Sequence, residues 1–295
     1  MELQWPLIIF TTFICLAAGT IATVALATLK QADSGLEFKG AIVSLAALVI
    51  GGLASVLHLQ TPSRYFGQFG NISSGINQEI AAMGLLGIVV IIYLVQLQRS
   101  GKAASAVKVL AALLAVVLVL VMSHSYMMPS IPAWDTLLLP LYYLLNAAAL
   151  GLLVTKLLQL TGKPGDKAVN LGSWPLIALV VFAAGVVAYA AYIATLSGAN
   201  YSAVLHSDIS TVPPVDPASI GSRLFSGDLA GIFWGGVVVV GLAAPIVCAL
   251  VGRKPAEGKS SLAVGAVTCG ILLLLVGNVA FRALLYFAGS SVFIY

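Results

Sequence analysis

Ionisable side chains are rare in this chain, and those at the ends of apolar runs are placed to do chemistry. His58 closes one run in Leu57-His58-Leu59-Gln60-Thr61-Pro62, with Arg64 and Tyr65 just beyond. Glu79 opens the next in Asn77-Gln78-Glu79-Ile80. Two consecutive helices of opposite direction bring His58 and Glu79 to one end of a bundle, with Arg64 on the loop between them. Near the C-terminus, Arg282 and Tyr286 are four positions apart and so share a helix face.

A base, an acid and a guanidinium at one depth suit the oxidation of a quinol, in which two protons leave two hydroxyls as two electrons depart. An imidazole, with an ordinary pKa of about 6.5, can accept one proton. A partly buried carboxylate can relay the second. Arg64 would hold the pair in register or stabilise developing negative charge. Quinone tails are apolar, so a site between helices at the bilayer edge fits such a ligand. Ionisable groups at membrane depth are functional candidates by default. The plainer alternatives are a snorkelling Arg282, an aromatic-belt Tyr286, and a His58–Glu79 pair that only ties its loop down.

The elements that must position these residues follow from composition. With 60% hydrophobic and 8% charged residues over 295 positions and a mean hydropathy of +1.07, the chain departs far from water-soluble domains, whose charged fraction is near a quarter. A bilayer core needs about 20 apolar residues per helix. Eight such runs are present, at roughly 5–29, 40–60, 78–98, 104–126, 136–159, 172–196, 228–251 and 262–290. The fold class expected is all-α, a bundle of eight transmembrane helices forming one integral-membrane domain over 1–295.

Lys30 and Lys39, then Arg99, Lys102 and Lys108, then Lys156, Lys163 and Lys167, then Arg253, Lys254 and Lys259 recur in every second gap between the runs. Positive charge in short loops marks the cytoplasmic face. Both termini then lie on the outer side, periplasmic in a Gram-negative cell, and the chain is a multi-pass protein of the inner (cytoplasmic) membrane. The first run begins at Trp5-Pro6 without a basic leader or small-residue cleavage site, and is expected to remain as a helix.

These cations are spread over four loops without aromatic interleaving, so orientation explains the net charge of +4 and no nucleic-acid partner is expected. Cys15, Cys248 and Cys269 fall inside spans with no cluster spacing, three thiols where a cubane iron–sulfur centre needs four. They read as small core residues. A haem between His58 and His124 is geometrically conceivable, but the His positions, with His206 in a long loop, favour no haem and no metal on this chain. The long connections, Thr61 to Asn77 and Ser197 to Gly227, both lie on the outer side. The second contains Val212-Pro213-Pro214-Val215-Asp216-Pro217, which is expected as extended chain. Glycines along the spans, such as Gly51-Gly52 and Gly235-Gly236 with Gly241, read as close helix contacts.

Gln4-Trp5-Pro6-Leu7-Ile8-Ile9-Phe10-Thr11, the Leu57-His58-Leu59 run reaching Pro62 and Arg64, Glu79-Ile80-Ala81, Pro132-Ala133-Trp134 and the Arg282 and Tyr286 pair together resemble the membrane-anchor subunits of dimethyl sulfoxide reductase. The resemblance runs from end to end. It implies eight helices with both termini outside and no haem or metal. It also implies oxidation of menaquinol, and partnership with a four-cluster iron–sulfur subunit and a molybdopterin catalytic subunit. His58, Arg64 and Glu79 stand where that family has its quinol-site His, Arg and Glu. Gln60, where Gly is usual, and Asn278, four positions before Arg282, depart from the pattern near the site.

The reading is therefore a membrane anchor and menaquinol-oxidising subunit, with His58 and Glu79 catalytic and with Arg64, Arg282 and Tyr286 completing the quinol site. Its partners are the two soluble subunits, the quinone pool and membrane lipid. A polysulfide-reductase-type anchor is the near alternative. A small-solute transporter is the distant one, since it would place charges or unwound helix near the midplane and carry an inverted repeat.

Overall fold

The structure, a computed structural model, describes residues 3–58, 74–162, 169, 171–196, 218–253 and 261–288. Helices α1 (Trp5–Ala27), α2 (Ser34–His58), α3 (Gly75–Ser100), α4 (Ser105–Ser125), α5 (Leu138–Leu160) and α6 (Trp174–Leu196) come first. A short α7 (Ala218–Phe225), a π-helix (Gly231–Ala243) continued by α8 (Ala244–Val251), and α9 (Ser261–Ala288) follow. Among the described residues there is no strand, and eight spans are long and apolar enough to cross a membrane. Pro6 lies in the first turn of α1, where its missing N–H costs no hydrogen bond. Gly101, at φ 68°, closes α3 in the left-handed conformation and donates its N–H to the Leu97 carbonyl.

Eight antiparallel crossings return the end of α9 to the end at which α1 starts. Direct contacts tie it there. The Trp134 indole N–H donates to the Leu285 carbonyl at 2.8 Å, and an Arg282 N–H reaches the Thr11 carbonyl at 3.4 Å. The other end carries Lys30, Arg99, Lys102 and Arg253 at the surface. Below, these are the site end and the basic end.

Burial is uneven. In α1, 67% of the central stretch is buried, and in α5 61%, whereas the other spans reach only 28–39%. The remaining helices wrap these two and turn Leu53, Leu85, Leu113, Val187 and Leu272 outward. Such a continuous apolar exterior matches lipid and not water. Where α1 and α5 cross, Gly19 meets Ala147 and Gly151 so closely that a Cβ on Gly151 would stand 2.1 Å from the Gly19 carbonyl oxygen. Thr23 and Thr155 share a hydroxyl hydrogen bond of 2.8 Å beside this crossing. In bilayers, where apolar burial gives no drive for helix association, such close approaches and hydrogen bonds hold helices together.

Four features differ from the sequence reading. Helix α2 starts at Ser34, ahead of the expected position 40, because Glu37 finds partners inside the bundle. Lys108, read above as a loop cation, is buried in α4 and its ammonium lies 2.7 Å from Glu37. It also donates to the Thr28 carbonyl at 2.9 Å, while the Tyr93 hydroxyl donates to the second Glu37 oxygen at 3.0 Å. The seventh span is π-helical over Gly231–Ala243 and ordinary α-helix from Ala244, with Pro245 in the first α-turn, where the missing N–H is best tolerated and the wider turns end. A Cβ on Gly277 would lie 2.0 Å from the Cα of Gly241, so the widened segment rests directly on α9. Finally, part of the connection expected as loop between Ser197 and Gly227 is helix α7; the Pro-rich stretch itself lies outside the described residues.

Candidate functional site

At the site end Glu79, the fifth residue of α3, is 9% exposed. The hydroxyl of Ser125, the last residue of α4, donates to its carboxylate and also to the Met122 carbonyl. The chain then turns through Tyr126 to Trp134, two residues that face α9. Trp134 stands edge-on to Tyr286, with ring centroids 5.3 Å apart and planes at 89°, and Tyr126 lies 6.3 Å from Trp134 and 6.5 Å from Tyr143. Tyr189 and Tyr192 of α6 donate to the Ala133 and Pro132 carbonyls, each at 2.8 Å, and so fix the Pro132-Ala133-Trp134 turn against the bundle.

Arg282 sits behind these rings, 1% exposed. One terminal nitrogen, Nη2, reaches the Thr11 carbonyl, the Cys15 sulfur and the Asn146 side-chain oxygen at 3.4, 3.5 and 3.4 Å. These are long contacts, at the weak end of hydrogen bonding. Its other two nitrogens, Nε and Nη1, make no hydrogen bond. The guanidinium carbon lies 5.1 Å from the Tyr143 ring centre and 5.8 Å from that of Tyr142, within cation–π range. No carboxylate pairs with it among the described residues.

Thr11, Tyr126, Trp134, Tyr143, Arg282 and Tyr286 line a narrow pocket whose free room is about 10 Å³, enough for a single water. Its lining is largely apolar with few convergent polar groups, as in small-molecule sites, and a larger guest would enter by parting the rings. Tyr126 lines this pocket and lies near enough to Glu79 for the two to interact electrostatically. Burial holds its phenol well above the ordinary tyrosine range, the nearby Tyr286, Tyr143 and Glu79 push the same way, and Arg282 opposes them. Tyr126 therefore stays protonated.

Of the residues expected from sequence, Glu79, Arg282 and Tyr286 meet at this one end. His58 ends α2 there too, but its side chain, like all of Arg64 and His206, lies outside the described residues. His124 is exposed at the end of α4. Cys15, expected as a plain core residue, is buried beside Arg282. Tyr126, Tyr143, Ser125 and Asn146 were not singled out by sequence. Their only signal is position, at span ends or, for Asn146, as a polar residue within a span. Asn278, noted as a departure from the family pattern, accepts at its side-chain oxygen from the Asn146 amide at 2.6 Å and so sets the amide that faces Arg282. Among the described residues no group of three His, Cys, Asp or Glu is placed to hold a metal ion.

The family described as DMSO reductase anchor subunit (DmsC) matches residues 1–288 of this chain. Over 84 residues the sequence is 37% identical to a chain of the anaerobic dimethyl sulfoxide reductase of Escherichia coli (strain K12), a stretch that covers 27% of this protein and 29% of that relative.

Proposed function

This chain belongs to the DMSO reductase anchor subunit family, and from that premise we propose that it anchors its complex in the cytoplasmic membrane and oxidises menaquinol there. The observation that carries the reading is the aromatic pocket at the site end. It holds a buried guanidinium without a carboxylate partner among the described residues, and its Tyr126 lies within electrostatic reach of the Glu79 carboxylate. In it, the Tyr286, Trp134 and Tyr143 rings would flank a flat quinol head, and Arg282 with Tyr286 would donate to one of its oxygens. Glu79 and His58 would take the two protons, and Arg64 would steady the loop between them.

Electrons would leave to a four-cluster iron–sulfur subunit and onward to a molybdopterin subunit. Both termini and the site end would face the outer side, consistent with the exposed Lys and Arg side chains gathered at the opposite end.

The decisive experiment uses the intact complex with two electron donors. General acid–base groups typically contribute about 10² to 10⁴ in rate, so Glu79→Gln or His58→Ala should lower menaquinol-dependent turnover by roughly that range. An artificial donor that reduces the partner directly should still drive normal turnover. Full menaquinol activity in either variant removes that residue from the proton path.

A further inference from the structure

We propose that the pocket at Arg282 binds the quinol in a deprotonated, anionic form; this deepens the function proposed above and rests on it. Donors outnumber acceptors there. A guanidinium offers five N–H bonds and no acceptor. At Arg282 three neighbours accept from Nη2 at 3.4–3.5 Å and the Tyr143 hydroxyl adds a further favourable interaction, while Nε and Nη1 have no hydrogen bond among the described residues. The Asn278 amide nitrogen and the Tyr142 hydroxyl, both buried, also lack partners. The cluster is rich in donors and poor in acceptors, and it holds a whole positive charge inside the membrane span.

A buried charge without a partner is strongly unfavourable. The Tyr142 and Tyr143 ring faces offset part of that, and what is missing is an oxygen carrying negative charge. A neutral hydroquinone brings one proton with each oxygen and so adds donors to a site already short of acceptors. The anion that remains once one hydroxyl proton has moved to a carboxylate or imidazole brings an oxygen able to accept several of these bonds. Loss of a proton thus comes before loss of electrons: the O–H bond breaks, its electron pair stays on oxygen, and the proton passes to the base. The guanidinium then holds that oxygen while two electrons and the second proton depart.

The probe pair is 2-hydroxy-1,4-naphthoquinone, ionised at neutral pH, and its neutral methyl ether, 2-methoxy-1,4-naphthoquinone. Binding to the purified complex is read by quenching of its tryptophan fluorescence, with Trp134→Phe as the control that assigns the signal. Hydrogen bonds to charged groups correspond to about ten- to hundredfold in affinity, so the ionised compound should bind tighter than the ether by roughly that factor. Arg282→Gln should bring the ratio close to one, and Arg282→Lys should keep part of it. The wild-type complex gives the same answer without a variant, since acidification that protonates the hydroxy compound should remove its advantage. Equal binding of both compounds to the wild type, or a ratio unchanged in Arg282→Gln, overturns the anionic form while leaving quinol oxidation intact. If neither compound binds at all, the quinol pocket itself is refuted.

Discussion

In the proposed site the hydroxyl of Tyr286 and its ring would do separate jobs. The ring stands edge-on to Trp134, whose indole in turn donates to the Leu285 carbonyl, so ring and backbone brace each other. Tyr286→Phe keeps this stack and removes only the donor. A net hydrogen bond of about 0.5–1.5 kcal/mol corresponds to roughly two- to tenfold, so we expect the KM for menaquinol to rise by that much with assembly intact. Tyr286→Ala should instead lower the melting temperature of the complex, because Trp134 loses its packing partner. Equal thermal stability for the two variants would mean that the ring does not brace the turn. The i, i+4 spacing of Arg282 and Tyr286 made their shared face readable in the sequence, and the ends of the apolar runs placed Glu79 beside them. Tyr126, Tyr143 and Asn146 were not readable. Aromatic and amide residues carry no period of their own, and only tertiary packing sets them around a guanidinium.

At the scale of elements, the spans follow from their apolar runs, but the runs are silent on what a buried charge does. Lys108 sits four residues into α4, and by sequence it resembles any loop cation. Its pairing with Glu37 depends on α2 and α4 meeting across the end of α1, a contact between residues 71 apart in the chain. Removing one partner of a buried ion pair costs about 3–5 kcal/mol, whereas replacing both by apolar groups can be near neutral. Glu37→Gln or Lys108→Met alone should therefore lower the melting temperature of the purified protein sharply, and the double substitution Glu37→Leu with Lys108→Met should recover most of it. Additive losses would show that the pair is not coupled. The helix crossings give a second test. Gly151→Ala inserts a Cβ against the Gly19 carbonyl, and overpacking of this kind costs about 1–3 kcal/mol. Gly265→Ala meets nothing within 4 Å and should leave the melting temperature unchanged. If the two substitutions behave alike, the α1–α5 approach is looser than described. The π-helical seventh span could not be read from hydropathy, since widening the turns ahead of Pro245 leaves the apolar run unaltered.

For the whole molecule, the two ends differ in what they offer a partner. The basic end shows Lys30, Arg99, Lys102 and Arg253 at its surface, while the site end has Glu79, the aromatic pocket and α7, whose Arg223 is bonded to Asp228 at 2.8 Å. The alternation of cations between apolar runs is enough to make this polarity legible. It could not show which face would bind the proposed iron–sulfur subunit, because that surface would belong to two chains. Electron transfer weakens steeply with distance, so the proposed partner's first acceptor cluster should lie on the side of the proposed quinol pocket. A membrane-impermeant amine reagent should then label Lys30 and Lys102 in inside-out vesicles and spare them in intact spheroplasts. Crosslinks to the iron–sulfur subunit should start from single cysteines placed at the site end, for example Asp228→Cys, and not from Lys102→Cys. Labelling of Lys102 in spheroplasts would invert the orientation, and crosslinks confined to Lys102→Cys would put the partner at the far end of the bundle, a full membrane thickness from Arg282. That separation is too great for direct electron transfer, so the quinol would then have to be oxidised somewhere other than at Arg282.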